Sequence, residues 1–130
     1  MKTKAKGSNA ERELFHKFWS SGWACMRAAG SGSTSMPAPD ILAGNVTRRL
    51  AIEVKVTKAI KQYLTRKEVE ELKEFSRIFG AEPWIGVKFN NVDWYFINPE
   101  DLDETEGQNY VVSIPIAKRK GLLFEEAINK

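Results

Sequence analysis

Residues 50–57 alternate between two faces of an extended chain. One face carries only aliphatic side chains, namely Leu50, Ile52, Val54 and Val56. The other face carries Glu53 and Lys55 as near neighbours, flanked by Ala51 and Thr57. This pattern predicts a half-buried strand that presents a carboxylate and an ammonium group on the same side.

A shorter apolar run lies just before this strand, at residues 41–43, and Pro39 and Asp40 precede it. Gly44-Asn45 between the two runs is a turn signal, so we expect the runs to pair as a hairpin. Because Pro39 has a fixed φ angle and donates no hydrogen bond, Asp40 enters its strand at a set angle. The hairpin is therefore expected to bring Asp40 beside Glu53.

An amphipathic helix is predicted before the hairpin. The segment Gly7-Ser8-Asn9 marks its start, with Ser8 or Asn9 as the capping residue. The helix runs to about Ser20 and ends at Gly22. Its apolar stripe consists of Leu14, Phe15, Phe18 and Trp19.

Glu11 falls within that apolar stripe, whereas Glu13 falls on the opposite side of the helix, near Lys17. An unpaired carboxylate among aromatic rings is unfavourable. Glu11 is therefore either a capping residue in a frayed first turn or a residue that faces a cation, and the helical pattern leaves both open. His16 lies on the flank of the stripe and is interpreted as a surface or boundary residue.

A second helix is predicted to begin with a capping-box sequence, Thr65-Arg66-Lys67-Glu68, and to run through Phe79 to Gly80. Its inner stripe consists of Val69, Leu72, Phe75, Ser76 and Phe79. The preceding residues, 57–64, are basic and are interpreted as a connection.

Further strands are predicted on both sides of the second helix, at residues 23–29, 83–89, 92–97 and 110–116. Asn90-Asn91 joins two of them as a hairpin, and the last is expected to be an edge strand because it contains Pro115. Residues 121–128 are interpreted as a short final helix or a docking tail. The order of helix, three strands, helix and further strands predicts an α/β fold with a mixed central sheet flanked by helices.

The composition is that of an ordinary globular protein. With 130 residues, 42% of them hydrophobic and 28% charged, the chain is long enough for a real core, and we expect one domain over residues 1–130. No apolar run approaches the roughly 20 residues of a membrane span. Residues 1–6 are basic but no apolar core follows them, so they do not indicate a signal peptide.

The single cysteine and single histidine narrow the available chemistry. Cys25 alone forms neither an internal disulfide nor a thiolate zinc site, and we interpret it as a small buried hydrophobic residue. His16 alone rules out a paired-histidine metal motif. Oxygen ligands with Mg²⁺ or Mn²⁺ remain as the expected metal chemistry.

The formal net charge is only +3, so the distribution of charge matters more than its total. Acidic residues crowd positions 100–106, while basic residues flank the first strands. These basic residues are Lys2, Lys4, Lys6, Arg12, Arg27, Arg48, Arg49, Lys55, Lys58 and Lys61. Such an asymmetry suits a polyanion bound on one face.

Two interpretations of Glu53 and Lys55 are open at this point. A Glu and a Lys two positions apart on a strand often form no more than a solvated face. With Asp40 beside them, two carboxylates and a lysine converge on one point, which suits a hard divalent cation and a phosphate.

Residues 30–38, which are small and polar, are either a plain linker or a flexible arm that closes on a phosphodiester.

Several short segments recur, in this order, in one known family. They are Lys6-Gly7, Ala10-Glu11-Arg12-Glu13-Leu14, Arg27-Ala28 with the loop at 30–33, Pro39-Asp40-Ile41 and Ile52-Glu53-Val54-Lys55. On these segments the chain resembles the archaeal Holliday junction resolvases of the Hjc type. This family belongs to the restriction-endonuclease-like, or PD-(D/E)xK, nucleases, so the resemblance implies that α/β fold.

The resemblance also implies roles for individual residues. Glu11, Asp40 and Glu53 would be the acidic metal-site residues, with the Val54 carbonyl as a further ligand, and Lys55 the catalytic lysine. Ser31 matches a serine implicated in catalysis in some members. Arg12 and Arg27 match basic residues that the family uses on DNA, and Ser31 and Ser33 match its hydroxyl-bearing loop. We expect these four residues to bind DNA, together with the basic residues Lys4, Lys6, Lys58 and Lys61 near the site. Phe75 and Phe79 match aromatic residues at the homodimer interface, although their spacing on an inner stripe also fits simple core packing.

The implied activity is cleavage of a four-way DNA junction by a homodimer that uses Mg²⁺, with Mn²⁺ as a replacement ion, in DNA recombination and repair. We accordingly expect a cytoplasmic, nucleoid-associated protein that does not bind membranes. Two alternatives stay open: a nuclease for other branched or flapped DNA, and a DNA-binding module of the same fold without catalytic activity.

Overall fold

The structure, a computed structural model, describes residues 2–28, 35–90 and 92–130, with the backbone alone described for residues 2–6 and 8. Within these residues a mixed sheet of five strands has the order β1-β2-β3-β5-β6. Its strands are β1 (Ala24–Arg27), β2 (Ile41–Gly44), β3 (Arg49–Thr57), β5 (Glu82–Phe89) and β6 (Trp94–Ile97). A second sheet of order β4-β8-β7 consists of β4 (Lys61–Leu64), β7 (Asp103–Glu104) and β8 (Tyr110–Ser113).

The helices flank the larger sheet, which confirms the predicted architecture. They are α1 (Lys2–Ser20), α2 (Arg66–Phe79), α3 (Ile114–Lys120) and α4 (Phe124–Ile128), and a 3₁₀ turn covers Pro99–Asp101. Among the described residues, none of the helices combines the length and the apolar character that crossing a bilayer demands.

Strand β3 lies at the centre of the larger sheet. It pairs antiparallel with β2, with Ile41 opposite Ile52, and parallel with β5, with Glu53 opposite Ile85. The hairpin predicted around Gly44-Asn45 is confirmed. Its register places Asp40 one residue beyond the last pair, where the Asp40 N–H still donates to the Ile52 carbonyl at 3.0 Å.

The core has two parts, one on each face of this sheet, because successive side chains of a strand point to opposite faces. On one face, Leu50, Ile52 and Val54 pack with α1 and α4. On the other face, Ala51 packs with α2, α3 and the second sheet. The first half of β3 is therefore buried on both faces, and the prediction of a half-buried strand holds only for its second half, from Glu53 onward.

Helix α1 begins earlier than predicted. Residues 7–9 lie inside it rather than at its start, and the Asn9 side chain accepts a hydrogen bond from Arg12 instead of capping the helix. The three lysines and Ala5 before Gly7 are good helix formers, which explains the extension. Leu14 and Phe18 are fully buried as predicted. Trp19 is not: it is half exposed, and its indole N–H donates to the Cys25 carbonyl.

Helix α2 agrees with its sequence signals at both ends. The Thr65 hydroxyl accepts the Glu68 N–H while the Glu68 carboxylate accepts the Thr65 N–H, so the capping box is formed. Gly80 ends the helix in a left-handed conformation, with φ of 85°. Of the predicted inner stripe, Val69, Leu72 and Ser76 are buried.

Two predictions about the strands of the second sheet were wrong. Residues 61–64, taken as part of a connection, form β4 and pair with β8. Strand β8 is the central strand of its sheet rather than an edge, and it stops at Ser113. The Ser113 hydroxyl caps α3, and Pro115 lies in the first turn of that helix, where its missing N–H is not needed.

Candidate active site

Asp40 and Glu53 meet at the open end of the β2–β3 hairpin. Asp40 Oδ2 accepts a hydrogen bond from the Val54 N–H at 2.8 Å, so a side chain takes the place of a backbone acceptor where the β2 ladder stops. Pro39, which has no N–H, precedes this point and is buried. The hairpin therefore holds the Asp40 carboxylate beside β3 in a fixed orientation.

The same geometry orients the Val54 carbonyl. The N–H and C=O groups of one strand residue project to the same edge, and alternate residues repeat that direction. The Ile52 carbonyl accepts a hydrogen bond from the Asp40 N–H, and the Val54 N–H donates one to the Asp40 carboxylate. The backbone polar groups of both residues therefore face β2. The Val54 carbonyl therefore also projects toward the β2 side, where Asp40 lies, which adds a third oxygen donor to the two carboxylates.

The pKa of Glu53 is strongly raised. Its side chain is 17% exposed, and burial, followed by the nearby Asp40 charge, raises the pKa of Glu53 to about 8. Lys55 opposes this shift, while the charges of Glu68 and Glu11 add to it. Buried, crowded carboxylates of this kind are typical of functional sites, because a bound cation relieves their repulsion.

Lys55 lies between two glutamates. Its Nζ is 3.8 Å from Glu53 Oε2 and donates a short hydrogen bond to Glu68 Oε2. Lys55 and Glu53 share the face of β3 that α2 covers, and Glu68 belongs to the first turn of α2. The structure thus rules out a merely solvated Glu–Lys pair, since both side chains are largely covered and in contact.

Glu68 was not singled out as a site residue from the sequence. Burial alone would raise its pKa, but hydrogen bonds from Lys55 and from the Thr65 N–H outweigh burial and lower the pKa of Glu68. Its capping-box position was evident in the sequence, yet that pattern explains only one of its two carboxylate oxygens. The contact with Lys55 depends on how α2 packs on β3, which the local sequence does not reveal.

Glu11 reaches the site from α1, which covers the opposite face of the sheet. Because α1 begins at Lys2, Glu11 is not in the first turn, and the capping interpretation is wrong. Glu11 Oε1 instead faces a cation, the Arg27 guanidinium, at 3.3 Å. Burial and the Asp40 charge raise the pKa of Glu11, and the Arg27 hydrogen bond opposes them.

The fit of the side chains around Asp40 and Glu53 to a metal ion depends on which oxygen donors converge there. Within the described parts of the chain, no three or more His, Cys, Asp or Glu side chains are arranged so that they could hold a metal together. The oxygen donors that do converge are the carboxylates of Asp40 and Glu53 and the Val54 carbonyl. This set fits a hard divalent cation that keeps several waters, as Mg²⁺ does. Glu11 as a direct ligand stays a prediction.

The predicted DNA-binding residues differ in how they are placed. Arg12, Lys58 and Lys61 are exposed, and Lys58 follows directly on the end of β3. Arg27 is half-buried against Glu11. The side chains of Lys4 and Lys6, and the loop residues Ser31 and Ser33, lie outside what the structure describes.

Arg48 and Arg49, which were expected among the basic residues near the site, lie at the other end of the hairpin. Arg49 is four residues from Glu53 along β3, or about 13 Å at roughly 3.3 Å per residue. Arg48 makes a bidentate pair with Glu82, at 2.9 Å for each bond, and also donates to the Ala127 carbonyl at 2.7 Å. Arg48 is therefore part of the framework rather than of a DNA surface.

The C-terminal half of α2 presents an aromatic surface. Phe75 and Phe79 stack with ring centroids 5.3 Å apart, and Phe79 is 48% exposed beside the exposed Ile78. Phe79 therefore does not belong to the core, whereas Phe75 packs partly against it.

Two residues set aside in the sequence behave as expected. Cys25 is buried in the core, and burial raises the pKa of its thiol to about 11, which makes it a poor nucleophile. His16 is exposed on α1.

Comparison with known proteins identifies the family of this chain. The family model described as archaeal Holliday junction resolvase (Hjc) matches residues 2–130. The crossover junction endodeoxyribonuclease Hjc of Archaeoglobus fulgidus is 40% identical over 129 residues, with 95% of both chains covered. The protein of the same name from Methanocaldococcus jannaschii is 38% identical, with 96% of this chain and 88% of the relative covered.

A solved structure gives the same result for the fold. The 1.6 Å structure of Archaeoglobus fulgidus Hjc, described as a Holliday junction resolvase from an archaeal hyperthermophile, superposes with a TM-score of 0.87 at 39% identity. The match covers 93% of this chain and 97% of that one. It confirms the restriction-endonuclease-like α/β fold, and together with the family model it shows that this chain belongs to the archaeal Holliday junction resolvase family.

Proposed function

We propose that this protein is an endonuclease that resolves four-way DNA junctions through paired, symmetric cuts by a homodimer. The observation that carries the proposal is the meeting of Asp40, Glu53 and Lys55 beside the second half of β3, where burial and the nearby Asp40 charge raise the pKa of Glu53 to about 8. Relatives named crossover junction endodeoxyribonucleases support the choice of reaction and substrate.

Membership of this nuclease family implies a divalent metal, and we propose Mg²⁺, with Mn²⁺ as a replacement. The residues that would hold it are Asp40, Glu53 and the Val54 carbonyl, with Glu11 in contact directly or through a water. When bound, the ion would polarise a phosphoryl oxygen and make a bound water easier to deprotonate near neutral pH.

The remaining chemistry belongs to the protein itself. Asp40 is held in orientation by the Val54 N–H, so it requires little rearrangement during the reaction. Lys55 carries a positive charge next to Glu53, where it can orient the attacking water or offset the negative charge that develops on the phosphate. We assign Lys55 this role and treat Ser31 as a second, loop-borne contributor.

DNA would be held mainly through its phosphates. Lys58 and Lys61 are exposed just beyond the end of β3, and Arg12 is exposed on α1 near Glu11. We include Lys4, Lys6, Arg27, Ser31 and Ser33 in the same surface. A junction has no particular sequence to read, so its shape is the natural basis of recognition. Such a substrate would place the protein in the cytoplasm with the nucleoid.

A two-fold dimer suits this reaction, because resolution requires two cuts at equivalent positions on opposing strands. We propose that Phe75 and Phe79 of α2 form part of the interface. The half-exposed Phe79 and the neighbouring Ile78 give this helix an apolar surface that a second copy would cover.

A nicking assay tests the proposal. End-labelled four-way junction, linear duplex and flap DNA are each incubated with protein in Mg²⁺, with a chelated control. Paired cuts on opposing strands of the junction alone are expected. Cleavage of the flap in preference to the junction would favour a nuclease for other branched DNA. Binding without metal-dependent cuts on any substrate would favour a non-catalytic module.

A further inference from the structure

Glu68 has two carboxylate oxygens with different partners. Oε1 accepts the N–H of Thr65, which closes the capping box of α2, at 2.9 Å. Oε2 accepts a hydrogen bond from Lys55 Nζ, on the central strand of the sheet. One side chain therefore joins the start of a helix to the lysine of the candidate active site.

This arrangement restricts Lys55 on two sides. A lysine side chain has four rotatable bonds and much rotamer entropy, so a single weak contact leaves its ammonium group mobile. Glu53 is 3.8 Å away and by itself is a loose partner. Glu68 makes the closer contact, and the capping box fixes Glu68 from the other side.

Capping alone does not account for Glu68. A glutamine in the third position of a capping box makes the same bond to the helix start. The charged second oxygen is needed only for Lys55, and the Lys55 side chain is only 22% exposed.

We propose that Glu68 is a positioning residue that holds the Lys55 ammonium group in place beside Glu53, and that it does not touch the substrate. The expected effect of Glu68 on cleavage rests on the proposed function, whereas the position of Lys55 is a property of the protein alone. The ordering of Lys55 can therefore be measured without metal or DNA.

The variant Glu68→Gln separates the two roles, because it keeps the helix cap and loses the charged partner of Lys55. Glu70→Gln removes the same charge from an exposed site on the same helix and serves as the control. The first measurement is ¹³C relaxation at the lysine Cε atoms of metal-free protein, with exposed Lys61 as the internal reference. The second is the single-turnover rate of junction cleavage in Mg²⁺, with junction affinity measured separately.

In the wild type and in Glu70→Gln, Lys55 Cε is expected to be more ordered than Lys61 Cε. In Glu68→Gln the order of Lys55 Cε should fall toward that of Lys61 Cε, and cleavage should slow about 10- to 100-fold at unchanged junction affinity. In a Lys55→Met background, Glu68→Gln should slow cleavage no further.

A Lys55 that is equally ordered in Glu68→Gln and in the wild type overturns the inference, whatever the cleavage rates. Loss of order at Lys55 in a protein that cuts no junction would sustain the positioning role while rejecting the proposed function. An equal loss of cleavage rate in Glu68→Gln and Glu70→Gln would mean that the change in net charge causes the loss. That result would also overturn the positioning role of Glu68.

Discussion

The Asp40 carboxylate accepts a hydrogen bond from the Val54 N–H at 2.8 Å, although the two residues are fourteen positions apart in the sequence. This bond makes the orientation of Asp40 a property of the hairpin rather than of a flexible side chain. It also turns the Val54 backbone toward the same point. The candidate site is therefore built into the sheet, which is more rigid than a loop.

Glu11 and Glu13 are predicted to differ in their effect on cleavage. Glu11 faces Arg27 and senses the charge of Asp40, whereas Glu13 accepts hydrogen bonds from Lys88 and Trp94 on the far strands. Glu11→Gln should slow junction cleavage at least about tenfold, whereas Glu13→Gln should change it less than twofold. Single-turnover rates measure both. Similar losses in the two variants would contradict the assignment of Glu11 to the site.

Glu13 is predicted to stabilise the fold in a pH-dependent way. Burial opposes ionisation, but the hydrogen bonds from Lys88 and Trp94 prevail and lower the pKa of Glu13 below 4.5. A lowered pKa contributes stability above the unfolded value, and this contribution is lost as pH falls through the folded value.

Wild type should therefore exceed Glu13→Gln in unfolding free energy at pH 7 by about 0.5 kcal/mol, since solvent screens the pair. The difference should shrink as the pH falls from neutrality through the lowered pKa of Glu13. Urea unfolding at several pH values measures it, with Glu106→Gln, at an exposed position, as the control for lost charge. A difference that grows on acidification would contradict the assignment.

Arg48 is predicted to be structural. Arg48→Lys keeps the charge but loses the bidentate geometry with Glu82 and the bond to Ala127, so unfolding free energy should fall by about 2 kcal/mol. Arg49→Lys, at an exposed site, should change it by less than about 0.5 kcal/mol. Neither should alter junction affinity. Weaker DNA binding by a folded Arg48→Lys would return this residue to the DNA surface.

The aromatic surface of α2 is predicted to form the dimer. Replacing Phe75 and Phe79 together by alanine should convert a dimer to a monomer in sedimentation velocity, because aromatic residues dominate such interfaces. Phe79→Ala alone should destabilise the monomer fold little, since Phe79 is 48% exposed. A double variant that still sediments like a wild-type dimer would contradict the assignment of these two rings to the interface.

Patterns within a few residues were sufficient to predict the parts of the fold that the site needs. The Gly44-Asn45 turn and the alternation after it determined the hairpin, and the capping box with Gly80 determined α2. In each case the signal and the structure it specifies lie close together in the chain, so local chemistry decides the outcome.

Structure that depends on distant partners was not predictable in the same way. Strand β4 is short and exists because Lys61 pairs with Ser113, fifty-two positions away. The contact between Lys55 and Glu68 likewise depends on how α2 docks on the sheet. The start of α3 was a missed local signal, because Ser113 followed by Pro115 is a typical helix beginning.

The central claim is that the Asp40 and Glu53 carboxylates create the metal-dependent site for cutting junctions, and Asp40→Asn tests it most directly. Asparagine keeps an acceptor for the Val54 N–H and removes the negative charge, so the fold and junction affinity should be preserved. The single-turnover rate of junction cleavage in saturating Mg²⁺ should fall at least about 100-fold. A folded Asp40→Asn protein that cuts the junction at the wild-type rate would contradict the account.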